Sequence, residues 1–230
     1  MILASLSPRR AELLARLDLA FEICAPTCDE EIDPVLSPSE MVRQLAKRKA
    51  FSIPAPMLAT FLSTHNDGAV PATSTPAHQS ANREASAPAH SGAILSAPAL
   101  AHQGAILAAD TLVTFRDTVF GKPTDAQHAR DMLLALSGQT HDVFTGLCLR
   151  LRDGSHDTWA VGTRVTFAPI PPPLMEEAIA DGLDKAGAYG IQGVAARFTE
   201  RIEGCFFNVM GLPLSSLQQK LMLHGLLPMT

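Results

Sequence analysis

Short apolar runs alternate with amphipathic helical segments along most of this 230-residue chain. The runs "ILA" at 2–4 and "AILAADTLVTF" at 105–115 are typical of buried strands, because the sequences of such strands are nearly continuous apolar stretches. In "SEMVRQLAKRKAF", at 39–51, apolar residues instead recur at helical spacing. This alternation predicts the α/β class, with a two-lobed mixed sheet flanked by helices.

The rest of the chain supplies further elements of both kinds. Helices are predicted over 8–17, 124–138 and 172–182, and antiparallel strands over 141–151 and 157–170. Thr124 is the expected N-cap of its helix. The segment "CFFNVMGLPLSSLQQKLMLHGL", at 205–226, predicts a strand, a Gly-Leu-Pro turn and a closing helix.

Residues 54–104 depart from this pattern. They are rich in Ala, Pro, Ser, Thr and His, and a degenerate 12-residue repeat runs through 76–111. We predict a flexible low-complexity insertion within a single domain spanning 1–230. Its histidines are expected to have no function, although a weak metal-binding tail is the alternative; they are His65, His78, His90 and His102.

Bulk charge and hydropathy exclude several classes of protein. The net charge is −5 and the chain has no basic stretch of the length expected for nucleic-acid binding, which argues against that function but leaves a small anionic ligand possible. No apolar run approaches the length of about 20 residues that a membrane span needs. The four cysteines form no metal-binding pattern. We therefore expect a soluble cytoplasmic protein with reduced thiols and no membrane partner.

Two arginines follow the first strand in an unusual place. Arg9 and Arg10 fall in the first turn of a helix that begins at Pro8, with Ser7 as a plausible N-cap. The positive end of the helix dipole disfavours cations there unless an anion lies between them. The pair is therefore either a solvated surface feature or part of an anion-binding site, together with the nearby Ser5.

Other polar side chains stand at or near the ends of predicted elements. They are the acidic triplet Asp29, Glu30 and Glu31, the basic triplet Lys47, Arg48 and Lys49, and the single positions Asp110, Thr111, Lys122 and Gln192. Ligands of α/β sheets gather at the carboxyl ends of strands, so these groups are expected to converge. Carboxylates beside lysines and arginines suit phosphate chemistry assisted by Mg²⁺. Asp110 is expected to be a buried carboxylate, because its neighbours in the strand are apolar. Taken singly, Lys122 is equally compatible with a solvated turn, the acidic triplet with an exposed surface, and the stretch around Gln192 with a plain glycine-rich turn.

Eight stretches occur in the order found in one family of enzymes. The chain resembles the Maf-like nucleoside triphosphate pyrophosphatases in "LASLSPRRAELLARL", "LAKRKA", "AADTLV", "GKP", "LSGQTHDVFTG", "TRVTF", "DKAGAYGIQG" and "NVMGLPL". The resemblance implies a Maf-type α/β fold similar to that of the inosine triphosphate pyrophosphatases. It also implies a hydrolase acting on acid anhydrides, which releases pyrophosphate with the help of a divalent metal, Mg²⁺ or Mn²⁺. It further implies a homodimer, the state typical of the family.

The resemblance also implies roles for individual residues. Ser5, Arg9 and Arg10 match the family's triphosphate-binding loop, and Lys49 and Lys122 match its phosphate-binding lysines. Asp110 matches the catalytic proton acceptor, and with Glu30 it is the implied metal ligand; Glu30 is also implied in substrate binding. Thr111 matches a specificity position and Gln192 matches a reader of the base.

The stretch around Gln192 resembles the branch of the family that acts on dTTP and UTP. The alternatives are a pyrophosphatase for 7-methyl-GTP or another modified nucleotide, and a nucleotide-binding regulator of cell division. Three departures from the family pattern stand out. Ala108 replaces a glycine before Asp110, and Asp181, Gly182 and Leu183 replace a Glu-Pro pair beside the expected base pocket. The third is the insertion, which separates Lys49 from Asp110 in the sequence although both are expected in the site.

Overall fold

The computed structural model describes residues 1–54 and 104–228. Seven strands within these residues form one sheet. The strands are β1 (Ile2–Ala4), β2 (Glu22–Cys24), β3 (Ala105–Phe115), β4 (Thr118–Phe120), β5 (Thr140–Leu151), β6 (His156–Phe167) and β7 (Thr199–Glu203). The helices are α1 (Pro8–Ala15), α2 (Pro38–Ser52), α3 (Ala126–Leu136), α4 (Pro172–Gly182), α5 (Phe206–Val209) and α6 (Leu214–Leu223).

The sheet is mixed, and β3 joins its two parts. The strand order is β2-β1-β3-β5-β6-β7, with β4 paired to the far end of β3. Strand β1 runs parallel to β2 and β3, whereas β3, β5, β6 and β7 pair antiparallel to one another. The predicted α/β class, with a mixed sheet flanked by helices, is confirmed.

Alternate residues of β3 enter different apolar clusters. Leu107 and Ala109 join the large core that includes residues of α1, α3, α4 and α6. Ile106 and Ala108 join a smaller cluster with Ala46 and Ala50 of α2. Successive side chains of a strand point to opposite faces, so α2 covers one face of the sheet and the other helices cover the other.

Helix α2 lies unusually close to β5. A Cβ atom placed on Gly146 would lie 2.2 Å from the carbonyl carbon of Val42 in α2. Only a residue without a side chain permits this approach. Gly146 pairs across the sheet with Asp110, so the close contact brings α2 against the part of β3 that carries this carboxylate.

Two local predictions were wrong. The N-cap of α3 is Asp125 rather than Thr124, and its carboxylate accepts a hydrogen bond from the amide of His128. The strand predicted at the start of 205–226 is instead the short helix α5, and β7 precedes it. A short apolar run such as "FFNV" carries no decisive periodicity, and the charged, exposed sequence "TERIE" of β7 reads like a loop.

Residues 55–103, which hold nearly all of the predicted insertion and its histidines, lie outside the described residues. No helix among those that are described has both the length and the apolar character needed to cross a membrane.

Candidate active site

One cavity of about 530 Å³ brings together the nine residues to which the family resemblance assigned roles. These are Ser5, Arg9, Arg10, Glu30, Lys49, Asp110, Thr111, Lys122 and Gln192. The first three follow β1, Lys49 comes from α2, and Asp110 and Thr111 lie within β3. The expected convergence is therefore observed for these nine residues, whereas the other members of the two charged triplets, Asp29, Glu31, Lys47 and Arg48, do not line the cavity.

Lys49 occupies the centre of the charged side of the cavity. Its Nζ donates to Oδ1 of Asp110 and lies 2.8 Å from Oε1 of Glu30. Lys49 and Asp110 are buried, whereas Glu30 is largely exposed. The hydrogen bond from Lys49 holds the pKa of Glu30 below its usual value. A buried cation between two carboxylates avoids the cost of leaving any of these charges unpaired.

Arg10 is held by the protein rather than by solvent. Its Nε donates to the carbonyl of Gly211 at 2.9 Å, and its two terminal nitrogens donate to Thr111 Oγ1 at 3.0 Å and Ser5 Oγ at 3.4 Å. Burial lowers the pKa of the Arg10 guanidinium, and the nearby Asp110 carboxylate opposes that effect. These contacts argue against the interpretation of Arg10 as a solvated surface residue.

The start of α1 favours an anion in the same place. Ser7 is the N-cap residue, but its side chain makes no capping hydrogen bond, and Pro8 opens the helix. The positive end of the helix dipole and the guanidinium of Arg9 therefore face the same cavity. Arg9 pairs with Asp184 at 3.1 Å across the cavity rim.

The opposite wall comes from the segment after α4. Tyr189, Ile191 and Gln192 line it, and Gln192 is exposed. The hydroxyl of Tyr189 lies 2.8 Å from Nε2 of His141, a buried residue of β5. Burial lowers the pKa of His141 to about 4 and raises that of Tyr189. The wall is therefore fixed from behind by an uncharged hydrogen-bonded pair.

The departure from the family pattern at Asp181 touches this wall. A Cβ atom on Gly193, the neighbour of Gln192, would lie 2.4 Å from Oδ2 of Asp181. Lys185 lies 3.5 Å from the other oxygen of Asp181 and 2.7 Å from Asp184, which itself holds Arg9. Ion pairs thus connect the loop that carries Gln192 with the arginine loop after β1.

Several residues near the site were missed in the sequence. Tyr189 and His141 stand in stretches that were recognised only as family motifs. Asn208 is a fully buried polar residue within the apolar run "CFFNVMG", and Thr145 is equally buried in β5. An amide inside an apolar run is a usable signal, because buried polar groups are normally hydrogen-bonded for a reason.

A sequence model of the Maf-like protein family matches residues 1–224. The chain belongs to this family. Among the relatives of this Maf-like chain, a protein of Halalkalibacterium halodurans named "dTTP/UTP pyrophosphatase" is 36% identical over 227 residues, which cover 98% of this chain and 96% of the relative. A protein of Lacticaseibacillus casei with the same name is 38% identical over 224 residues, with 96% and 97% coverage. A third, from an Anaeromyxobacter species, is 35% identical, with 98% and 89% coverage.

Proposed function

We propose that this Maf-like chain hydrolyses dTTP and UTP to the nucleoside monophosphate and pyrophosphate. The observation that carries the proposal is the contact of the buried Lys49 with Asp110 and Glu30, inside a cavity that also holds Arg9 and Arg10. Such a site offers positive charge for phosphate oxygens and carboxylates for water and metal. Relatives that align with nearly the whole chain carry the name of this activity.

The triphosphate would bind at the start of α1. Arg9 and Arg10 present planar guanidinium groups that can pair with phosphate oxygens through two hydrogen bonds each. Lys49 and the exposed Lys122 lie on other sides of the same cavity and add charge without directional preference. Phosphoryl transfer depends mainly on such positioning and charge neutralisation.

Asp110 would orient the attacking water and accept its proton. The new bond joins the water oxygen to the α-phosphorus, and the bond from that phosphorus to the bridging oxygen breaks. The leaving pyrophosphate takes the electron pair, and Lys49, Lys122 and the arginines compensate the charge that develops on it. A carboxylate positioned in this way contributes about 10²–10⁴-fold to a rate.

The two carboxylates of Glu30 and Asp110 suit a divalent cation, Mg²⁺ or Mn²⁺. Both contact the same ammonium nitrogen, so they already approach a single positive charge. Among residues 1–54 and 104–228 no group of three or more His, Cys, Asp or Glu side chains is placed to hold a metal. This fits Mg²⁺, which proteins bind through one or two carboxylates, with substrate phosphates and waters completing the shell. The bound cation would neutralise phosphate oxygens and acidify a nearby water.

Gln192 would read the base. A glutamine amide both donates and accepts hydrogen bonds, as the edge of a uracil or thymine ring requires. The ring of Tyr189, held by His141, provides a rigid wall next to it. A homodimer and a cytoplasmic location remain predictions.

A pyrophosphate-release assay tests the proposal. Purified protein is given dTTP, UTP, CTP, GTP or 7-methyl-GTP with Mg²⁺ or Mn²⁺, and orthophosphate is measured separately. We expect pyrophosphate from dTTP and UTP. Release of pyrophosphate from 7-methyl-GTP alone would support the proposed reaction but contradict the role of Gln192 in recognising the base. Tight dTTP binding without any pyrophosphate would indicate a regulatory nucleotide-binding protein instead.

A further inference from the structure

Two separate hydrogen-bonded routes hold the guanidinium of Arg10. Its Nε donates to the carbonyl of Gly211 at 2.9 Å, and one terminal nitrogen donates to Thr111 Oγ1 at 3.0 Å. Traced away from Arg10, the two routes end on the same atom, the backbone carbonyl oxygen of Asn208. This oxygen accepts from the amide of Gly211 at 2.9 Å and from Oγ1 of Thr145 at 2.9 Å.

The route through Gly211 depends on the glycine. Gly211 has a φ of +100°, and a Cβ atom there would lie 3.2 Å from Thr111 Oγ1 and 3.3 Å from Arg10 Nε. The backbone turn and the close approach of the arginine therefore both require that no side chain be present. The hydrogen bond from the Gly211 amide to the carbonyl oxygen of Asn208 fixes the position of Gly211. It therefore also fixes the Gly211 carbonyl, which accepts from Nε of Arg10.

The route through the threonines has only one possible direction of donation. A guanidinium only donates, so Thr111 accepts from Arg10. A carbonyl oxygen only accepts, so Thr145 donates its single hydroxyl hydrogen to the backbone carbonyl oxygen of Asn208. The two threonines face each other across β3 and β5, with 3.0 Å between their hydroxyl oxygens. Thr111 must therefore donate to Thr145, and its own hydrogen is no longer available to a ligand.

Asn208, in α5, is itself fixed by hydrogen bonds to the two strands β5 and β6. It is fully buried, and its Nδ2 donates to the carbonyl of Val143 in β5 and to Thr163 Oγ1 in β6, each at 3.0 Å. Both amide hydrogens are used. The carbonyl oxygen on which the two routes converge is thus held at a defined place relative to the sheet.

We propose that Asn208 and Thr145 are positioning residues, which orient Arg10 toward the triphosphate through Gly211 and Thr111. The proposal rests on the proposed function for the identity of the anion. It also changes the role implied for Thr111, because a hydroxyl whose hydrogen is bonded to Thr145 contacts a substrate only as an acceptor. Thr111 then serves a phosphate indirectly, by holding Arg10.

The central test replaces Thr145, which does not itself line the cavity but links Thr111 to Asn208 in the second route. Thr145→Val keeps the shape and removes the hydroxyl, and we expect kcat/KM for dTTP to fall about tenfold to a hundredfold, as for loss of a hydrogen bond that serves a charged group. Thr145→Ser retains the hydroxyl and is expected to restore activity to within about threefold. Thr140→Val is the matched control, because Thr140 makes a similar cross-strand bond to Thr166, at 2.9 Å, on the same strand.

A double-mutant cycle with Arg10→Lys separates positioning from general destabilisation. If Thr145 acts through Arg10, the loss caused by Arg10→Lys is several-fold smaller in the Thr145→Val background. Independent, multiplying losses would overturn the proposal, as would a Thr145→Val enzyme within twofold of the wild type. Affinity for inorganic tripolyphosphate, measured by calorimetry, provides a readout that does not need hydrolysis. If the wild type released no pyrophosphate, the proposed function would fail, yet weaker tripolyphosphate binding by Thr145→Val and not by Thr145→Ser would still support the positioning role.

Discussion

The ammonium of Lys49 donates to the carboxylate of Asp110, although 61 positions separate the two residues in the chain. Lys49 belongs to α2 and Asp110 to the middle of β3. Residues 54–104 lie between these two elements in the sequence. The contact therefore forms only when α2 is packed on the sheet, and it links the integrity of the fold to the chemistry of the cavity.

Asp110→Asn tests the assignment of the general base. The amide has the shape of the carboxylate but accepts no proton, so we expect kcat for dTTP to fall about 10²–10⁴-fold. Pyrophosphate release measures the effect, and circular dichroism with thermal melting monitors the fold. A folded variant that retained a near-normal rate would assign the base elsewhere.

Lys49→Met tests the pairing at the centre of the site. The substitution leaves the buried Asp110 without its cation, which costs about 3–5 kcal/mol of the free energy of unfolding. Urea denaturation measures this cost, and Mg²⁺ is expected to recover part of it by binding the two carboxylates. Lys47→Met is the matched control, because Lys47 is exposed on the same helix; it should change stability by less than about 0.5 kcal/mol. An equal loss in both variants would contradict the pairing argument.

Gly146→Ala tests the close approach of α2 to β5. A Cβ at this position would lie 2.2 Å from backbone atoms of Val42, so the helix must move. Overpacking of this kind typically costs about 1–3 kcal/mol. Because α2 carries Lys49, we expect kcat to fall together with the melting temperature. At Gly121, where an added Cβ meets nothing within 4 Å, the same substitution should leave the melting temperature unchanged.

Gln192→Ala tests the reading of the base. Gln192 is exposed, so stability should not change. Loss of its hydrogen bonds to the base should raise KM for dTTP and UTP about tenfold, with a smaller effect on kcat. Steady-state kinetics with dTTP, UTP and CTP measures the change and the loss of discrimination. Unaltered KM values would remove Gln192 from the base-binding wall.

Burial of His141 predicts a pH dependence of stability. Its pKa is about 4 in the folded protein and about 6.5 when the chain is unfolded. Between these values the unfolded state binds one proton more, so the free energy of unfolding decreases as the pH falls. From pH 7 to pH 5 this contribution amounts to about 2 kcal/mol.

The variant His141→Phe isolates that contribution. Its ring can pack in the same aromatic cluster with Phe167 and Tyr189, but it does not titrate. Urea denaturation at pH 7 and pH 5 should show a pH-dependent loss smaller by about 2 kcal/mol than in the wild type. The exposed His156 provides the control, and His156→Gln should keep the full dependence. If His141→Phe kept it as well, another group would be responsible.

Strongly patterned segments were predicted accurately from the sequence. The strand expected over 105–115 is β3, and the helix expected over 39–51 is α2, extended by one residue at each end. The apolar stripe of α2 is buried as its spacing indicated. Elements with weak patterns, such as β7 and α5, were missed, because their few residues are selected by tertiary contacts rather than by local preference.

The sequence by itself determined the α/β class, the alternation of strands and helices, and the residue types available for phosphate chemistry. The first two follow from the hydrophobic periodicity of neighbouring residues, and the third follows from the composition of the chain. Only the tertiary structure decided that Lys49 pairs with Asp110 and that Tyr189 is held by His141. It alone also decided that the two hydrogen-bonded routes from Arg10 converge on Asn208. Such contacts join residues far apart in the chain, and their geometry depends on the register of β3 against β5 and on the close packing of α2.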